Sequence, residues 1–216
     1  MRHHPLRKFC IRMTALLLLS TACSHHPAPD SKKSALVAAR SSQWKPQTFI
    51  SHPDWLGLAL DPEPTEQLRR QLEAVGGVPL KTRGEAHITV ISPPEFAKLK
   101  SKISMSELDS GALRLDIQRT HWKPLCVAQG KRQNDLTYYV VVESDGLMQL
   151  RREFLRLFVK AGGDPMDFDL ANYHPHITIG FTNTDLYDSD GVIKDTRNCS
   201  FDLVTPDGEN ITSWNL

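Results

Sequence analysis

The sequence predicts an α+β fold, because segments with strand-like and helix-like patterns are mixed along most of the chain. The 216 residues are 40% hydrophobic and 24% charged, which is typical of a globular protein. Each half of the chain also offers a helix and a strand that bears a histidine. This repetition indicates an internal duplication, although it does not establish one.

The first strand is predicted at residues 55–60, where a short apolar run suits a buried strand. A helix over 65–75 follows, because Leu68, Leu72 and Val75 recur at helical spacing after a capping threonine. Residues 85–91 alternate between apolar and polar, as a half-buried strand does, and two prolines end that strand. A helix is then predicted over 95–102.

The second half repeats this order with better-marked elements. Residues 136–143 are rich in valine and tyrosine, which indicates a strand. One apolar stripe runs along 146–161, and a glycine pair ends that helix. Further strands are predicted at 112–118, 124–128, 173–181 and 200–204.

The N-terminus has the pattern of an export signal, with basic residues, an apolar run over 13–19 and then small residues before Cys23. The run is too short to span a bilayer. Residues 20–23 (Ser-Thr-Ala-Cys) resemble a bacterial lipobox, in which Cys23 would carry the lipid anchor. We therefore predict a lipoprotein-type signal peptide over 1–23 and attachment to the bacterial cell envelope, in the periplasm or at the outer membrane. The alternative is a plain secretory signal with an incidental cysteine, and a secreted protein.

Residues 24–46 are polar and interrupted by prolines and serines, which predicts a flexible linker before a folded domain over 47–216. The chain has 26 basic and 25 acidic residues, and removal of 1–23 leaves 22 basic against 25 acidic. A net charge near zero disfavours binding to a long duplex and favours a small ligand or a strand end. No protein partner is predicted. Cys126 and Cys199 remain in the domain, and either a disulfide or two buried thiols is consistent with the sequence.

Two segments carry the same chemical pattern, a His-Ile-Thr run followed by an aliphatic residue. In one segment the pattern begins at His87, and in the other it begins at His176. Because strand side chains alternate, His87 shares a face with Thr89, and His176 shares a face with Thr178. Each strand therefore presents an imidazole beside a hydroxyl.

This pair of motifs fits phosphodiester cleavage, which needs one group to take a proton and another to give one. An ordinary histidine titrates near pH ~6.5, so both protonation states are accessible around neutral pH. The threonine hydroxyls are suited to hold the phosphate oxygens. We predict His87 and His176 as the catalytic pair, and no metal or cofactor is required. A single His-x-Thr motif would be weak evidence, but two copies in apolar strands are much less easily accidental.

The paired motifs resemble the signature of the 2H phosphoesterase superfamily, which includes RNA 2',3'-cyclic phosphodiesterases and 2'-5' RNA ligase-like proteins. The stretch over 174–194 is similar to the Swiss-army-knife RNA-repair-like branch, in which an Asp and a Lys follow the second motif. Asp185 and Lys194 match those two positions. The resemblance implies a bilobal fold, with two β-sheet lobes flanked by helices and a central cleft in which His87 and His176 face each other.

Four further residues are secondary candidates for contacts with substrate. His174 shares the predicted face of His176, and rim contact or a structural role is favoured over metal ligation because no acidic residue lies near in sequence. Lys194 and Arg132 would neutralise phosphate, and Tyr138 or its neighbour Tyr139 would stack a base.

Three functions are consistent with these observations. The first is a metal-independent phosphodiesterase acting on 2',3'-cyclic phosphates or related 2'-linked nucleotide or RNA-end phosphoesters. The second is a non-catalytic nucleotide- or phosphate-binding envelope lipoprotein of the same fold. The third is a scaffolding lipoprotein. Intact motif residues favour the first, although the sequence does not tell which histidine is the base.

Overall fold

The computed structural model describes residues 34–211, together with 214 and 216. That part of the chain contains four helices and eight strands, and the strands form two sheets. The strands are β1 (Ser34–Val37), β2 (Pro46–His52), β3 (Trp55–Leu60), β4 (Ala86–Ile91), β5 (Lys123–Arg132), β6 (Asp135–Glu143), β7 (His176–Phe181) and β8 (Cys199–Val204). The helices are α1 (Glu63–Gly76), α2 (Pro93–Leu99), α3 (Met105–Arg114) and α4 (Asp145–Lys160).

The two sheets place the two motif strands side by side. The antiparallel three-stranded sheet has the order β2-β3-β4, and the five-stranded sheet has the order β1-β8-β5-β6-β7. In the larger sheet, β1 runs parallel to β8 and the other pairs are antiparallel. Strand β4 ends one sheet and β7 ends the other, and these two strands are in contact. The mixed α+β fold with two sheets confirms the predicted fold class.

The five-stranded sheet has two faces with different roles. One face joins the main apolar core, to which it contributes Val127, Val140, Val142, Ile177 and Ile179. The opposite face carries a smaller cluster of Cys126, Ala128, Tyr139 and Val141. Because side chains alternate along a strand, His176 and Thr178 lie on this second face, away from the main core.

Most predicted elements are present with small changes at their ends. The strand over 55–60 is β3, and the helix over 146–161 is α4, which is shifted by one residue. The helix predicted over 65–75 begins earlier, because Pro64 occupies its first turn, where a missing N–H costs nothing. The strand predicted over 173–181 begins only at His176.

Two predictions from the sequence are wrong. The linker over 24–46 was placed too far along the chain, because β1 pairs with β8 and Trp44 is only 1% exposed. The folded domain therefore includes residues from 34, not from 47. The strand over 112–118 is instead the end of α3 and a short 3₁₀ turn over Ile117–Arg119. A capping box at Ser104 and Glu107 starts α3, and that signal outweighs the weak alternation that follows.

The predicted signal peptide over 1–23, Cys23 and the first part of the predicted linker lie outside the described residues. Among the residues that the structure does describe, no helix has the length and apolar character needed to cross a bilayer.

A disulfide joins Cys126 on β5 to Cys199 at the start of β8. The sequence left this pairing open, and the structure resolves it. The bridge lies in the smaller apolar cluster, on the sheet face that bears His176. It fixes the end of the segment between β7 and β8 to the sheet.

Arg151 is a fully buried cation that ties β4 to the segment before β7. Its guanidinium donates to the carbonyl oxygens of Val90 on β4 and of Asp169, and it pairs with the Glu95 carboxylate at 2.6 Å. It also lies over the rings of Phe168 and Tyr173, at 4.3 and 4.2 Å from their centroids. A buried charge with this many partners is costly to disrupt, because its partners would lose their hydrogen bonds without regaining water.

We predict that Arg151→Met lowers the free energy of unfolding by about 3 to 5 kcal/mol, because it leaves buried carbonyls and a carboxylate unpaired. Urea unfolding followed by circular dichroism measures this change. The matched control is Arg152→Met, which changes the adjacent exposed arginine on α4 and should alter stability by no more than about 0.5 kcal/mol. Equal losses in the two variants would contradict the role given to Arg151.

Candidate active site

The predicted alternation of β4 and β7 is present in the structure. On β4, Ile88 and Val90 are fully buried, whereas His87 and Thr89 are partly exposed on the other face. On β7, Ile177 is fully buried, whereas His176 and Thr178 are partly exposed on the other face.

The two strands contribute to one small pocket, which is lined by Arg83, Glu85, His87 and Thr178. On the neighbouring strand β3, Gly57 is paired with Thr89, and Ala59 is paired with His87. Gly57 has no side chain, and the indole of Trp55 lies where one would be. The imidazoles are also close enough for a charge on His87 to lower the pKa of His176.

His87 lies between an indole and a carboxylate. Its ring centroid is 4.8 Å from that of Trp55, and its Nδ1 is 3.4 Å from a carboxylate oxygen of Glu85. That contact lacks the geometry of a hydrogen bond, so Nδ1 has no hydrogen-bond partner within the described residues. Burial lowers the pKa of His87, Glu85 opposes this shift, and Arg83 adds to it. The nearby carboxylate therefore favours the protonated ring, whereas burial favours the neutral one.

His176 is held in one tautomer by the backbone just before its own strand. Its Nδ1 lies 2.8 Å from the carbonyl oxygen of His174, an acceptor only, so Nδ1 carries the proton. The Nε2 lone pair is left free to accept a proton. Burial, and then the charge of Lys194, lowers the pKa of His176 to about 3. The ring also meets the edge of Tyr139, at 5.8 Å between centroids. His176 is therefore neutral at neutral pH.

A buried ion pair lies beneath the pocket. The Lys194 ammonium is 3.0 Å from Asp185, and each of the two side chains is only 3% exposed. Asp185 also accepts from the hydroxyl of Thr137 and from the guanidinium of Arg83. The two positions that matched the family pattern thus pair with each other. Because its ammonium is enclosed, Lys194 influences the pocket through its charge.

The segment between β7 and β8 covers this face of the sheet. Val192 packs on Gly130 of β5, where an added Cβ would lie 2.4 Å from the valine, so only glycine allows this approach. Lys194 lies above the rings of Tyr139 and Tyr187, at 5.7 and 5.2 Å from their centroids. The disulfide at Cys199 ends this covering segment, as described above.

Sequence reasoning missed Arg83 and Glu85, which line the pocket, and Trp55, which contacts His87. Arg83 bonds Asp185 and the hydroxyl of Tyr187, and its side chain is still 36% exposed beside His87. Trp55 places its indole against His87. Arg83 lies just before β4 in a stretch without regular structure, so no periodic pattern marked it. Trp55 was included in an apolar strand without a separate role.

Three secondary candidates are placed differently from the expectations. Tyr138 lies on the opposite face from Tyr139 and packs against the main core, with its hydroxyl 3.1 Å from the Gln129 amide. The structure therefore does not bring Tyr138 to the pocket. His174 lies before β7 and supplies a carbonyl to His176. Arg132 pairs with Asp190. Within the described residues, no cluster of three or more His, Cys, Asp or Glu side chains is arranged to hold a metal ion.

Two histidines, each with a threonine on the same strand face, lie on two contacting strands, and His87 and Thr178 line one pocket. This arrangement defines the class of two-histidine phosphoesterases, which hydrolyse or ligate phosphoesters. A family model described as "Swiss Army Knife, 2H phosphoesterase domain" matches residues 55–187, more than half of the chain, and the chain belongs to that family. A phosphate-containing substrate follows from this membership. No curated protein matches the chain, and no solved structure matches it either.

The lowered pKa of His176 predicts a loss of stability in acid. Below pH 6.5 the unfolded chain protonates this ring, whereas the folded chain does so only near pH 3. The stabilisation is therefore complete above pH 6.5 and is lost as the pH falls from 6.5 towards 3. At pH ~5 this difference in protonation lowers the free energy of unfolding by about 2 kcal/mol relative to neutral pH. The His176→Gln variant should not show that loss.

Urea unfolding of the original chain and of His176→Gln, each at pH ~8 and pH ~5, tests this prediction. The control is His121→Gln, at an exposed histidine, which should keep the full acid sensitivity of the original chain. An unchanged acid sensitivity in His176→Gln would show that His176 is not the group responsible.

Proposed function

We propose that this protein is a metal-independent phosphodiesterase that hydrolyses 2',3'-cyclic phosphates or related 2'-linked nucleotide or RNA-end phosphoesters. The observation that carries the proposal is the joint presence of His87 and Thr178, from separate sheets, in one pocket with Arg83. Each motif alone is compatible with a structural histidine. Residues of both motifs beside the guanidinium of Arg83, a group suited to bind an anion, are what phosphoester chemistry requires.

The two imidazoles differ, and the difference assigns their roles. His176 is neutral, with its proton fixed on Nδ1, so Nε2 accepts a proton from the attacking water. Burial lowers the pKa of His87 as well, but Glu85 opposes this shift, so His87 is the better placed of the two rings to give a proton to the leaving ribose oxygen. Water adds to phosphorus, one P–O bond of the cyclic ester breaks, and a phosphomonoester forms. A bound phosphate anion further favours protonation of His87.

The remaining groups hold the phosphate. Thr89 and Thr178 lie next to the two histidines on the same strand faces, so their hydroxyls are placed to donate to the non-bridging oxygens. Arg83 is exposed at the pocket and is oriented by Asp185, and a guanidinium suits two oxygens of one phosphate. Lys194 adds positive charge from beneath. The proposal therefore moves Lys194 from direct substrate contact to an electrostatic role, and assigns the direct contact to Arg83.

The test is turnover of 2',3'-cyclic nucleotides with a metal chelator present, followed by identification of the remaining 2' or 3' phosphate. We expect His87→Ala and His176→Ala each to lower kcat roughly 100- to 10,000-fold, because each removes one of the two proton transfers. Circular dichroism verifies that the variants stay folded, and His121→Ala is the control at an exposed histidine.

The alternative is a protein that binds nucleotides or phosphate without turnover. Binding of a 2'- or 3'-nucleotide to the original chain, with no product formed, would support that alternative and contradict the proposed hydrolysis. Full activity in either histidine variant would contradict the two-histidine mechanism.

We also propose that the chain is exported to the bacterial cell envelope and anchored there through Cys23. The signal-like pattern over 1–23 and the Cys126–Cys199 disulfide both support this location, because disulfides persist in oxidising compartments. Cell fractionation of the full chain and of a Cys23→Ala variant tests it. We expect membrane-bound protein from the original chain and released or unprocessed protein from the variant. Cytoplasmic recovery of the original chain would contradict the proposal.

A further inference from the structure

Trp55 is a large aromatic residue that belongs to no core. Two other tryptophans, Trp44 and Trp122, are each 1% exposed and pack together in the main core. Trp55 is only partly buried and packs against neither apolar cluster. Its ring lies instead against the ring of His87, which lines the pocket. Leaving an indole at a solvent-accessible site forfeits the free energy that its burial in a core would contribute.

Trp55 forms an aromatic surface together with His52. The two residues face each other across the β2–β3 hairpin, and their ring centroids are 6.0 Å apart with an angle of 30° between planes. The side chain of His52 is 56% exposed, and its Nδ1 is held 2.6 Å from the Asp54 carboxylate. We call this pair the His52–Trp55 surface. It continues from the His87 ring out to solvent.

The backbone is shaped to keep the indole in this place. A Cβ added at Gly57 would lie 2.7 Å from the six-membered ring of Trp55 and 3.0 Å from the carbonyl oxygen of Ile88. Gly57 is opposite Thr89 in the sheet. Because Gly57 has no side chain, the indole of Trp55 packs close to the sheet, near Thr89, the threonine proposed to hold the phosphate.

We propose that the His52–Trp55 surface binds the nucleobase of the substrate by stacking. This inference rests on the proposed function and deepens it, because it assigns the substrate to nucleotides that carry a base next to the reacting phosphate. Bases stack on aromatic side chains with little dependence on sequence, since every base has a π-face. A surface that lies directly beside His87 is within reach of the base when the phosphate is at the two histidines. The surface would thus select nucleotides over base-free phosphodiesters.

The test compares 2',3'-cyclic AMP with glycerol 1,2-cyclic phosphate, which has the same five-membered cyclic ester and no base. We expect Trp55→Leu to lower kcat/KM for the nucleotide roughly 5- to 100-fold, mainly through KM. Any change in the packing around His87 affects both esters alike, so the same variant should lower kcat/KM for the glycerol ester clearly less than for the nucleotide. Trp55→Phe should retain most of the nucleotide activity, His52→Ala should show a smaller effect of the same kind, and His121→Ala should show none.

Equal losses on both substrates in Trp55→Leu would mean that the indole only supports His87, and would overturn the stacking role. Unchanged kinetics on both would overturn it as well. If the original chain turns over neither substrate, the proposed hydrolysis fails by itself. Calorimetric binding then decides the inference: Trp55→Leu should weaken the binding of adenosine 2'-monophosphate and not that of inorganic phosphate. Equal weakening of both ligands, or of neither, contradicts it.

Discussion

The structure depends on the buried guanidinium of Arg151, because this one cation holds the two motif-bearing parts of the chain together. It binds the backbone of β4 at Val90 and the backbone at Asp169, and Tyr173 stacks on it. The hydroxyl of Tyr173 in turn donates to the carbonyl of Thr89 at 3.0 Å. The first motif strand is thus fixed to the residues that lead into the second.

The site uses a second set of buried charges to make two chemically identical side chains behave differently. Burial, and then the charge of Lys194, lowers the pKa of His176 and keeps it neutral, and the carbonyl of His174 fixes its tautomer. Glu85 acts on His87 in the opposite direction. Under the proposed function, this asymmetry makes His176 the group that accepts a proton.

The sequence predicted the parts of the site that depend on local pattern. The alternation around His87 and His176 placed each threonine correctly, because strand geometry leaves no other choice. Arg83 was missed because an ion pair with Asp185, 102 residues away, depends on tertiary contact. Tyr138 was chosen where its neighbour Tyr139 shares the face of Thr178, since strand periodicity alone does not tell which face is the core. Strand β1 was missed because it has only four residues, of which Leu36 alone is buried, and because its pairing with β8 is a tertiary contact.

Nitrogen-detected NMR titration of the histidine rings tests the central claim most directly, since it reports protonation and tautomer at each imidazole. We predict that His176 stays neutral with its proton on Nδ1 well below pH 6.5, and that added phosphate shifts the signals of both His176 and His87. A His176 ring that titrates like an ordinary exposed histidine, with neither ring responding to phosphate, would contradict a shared two-histidine site.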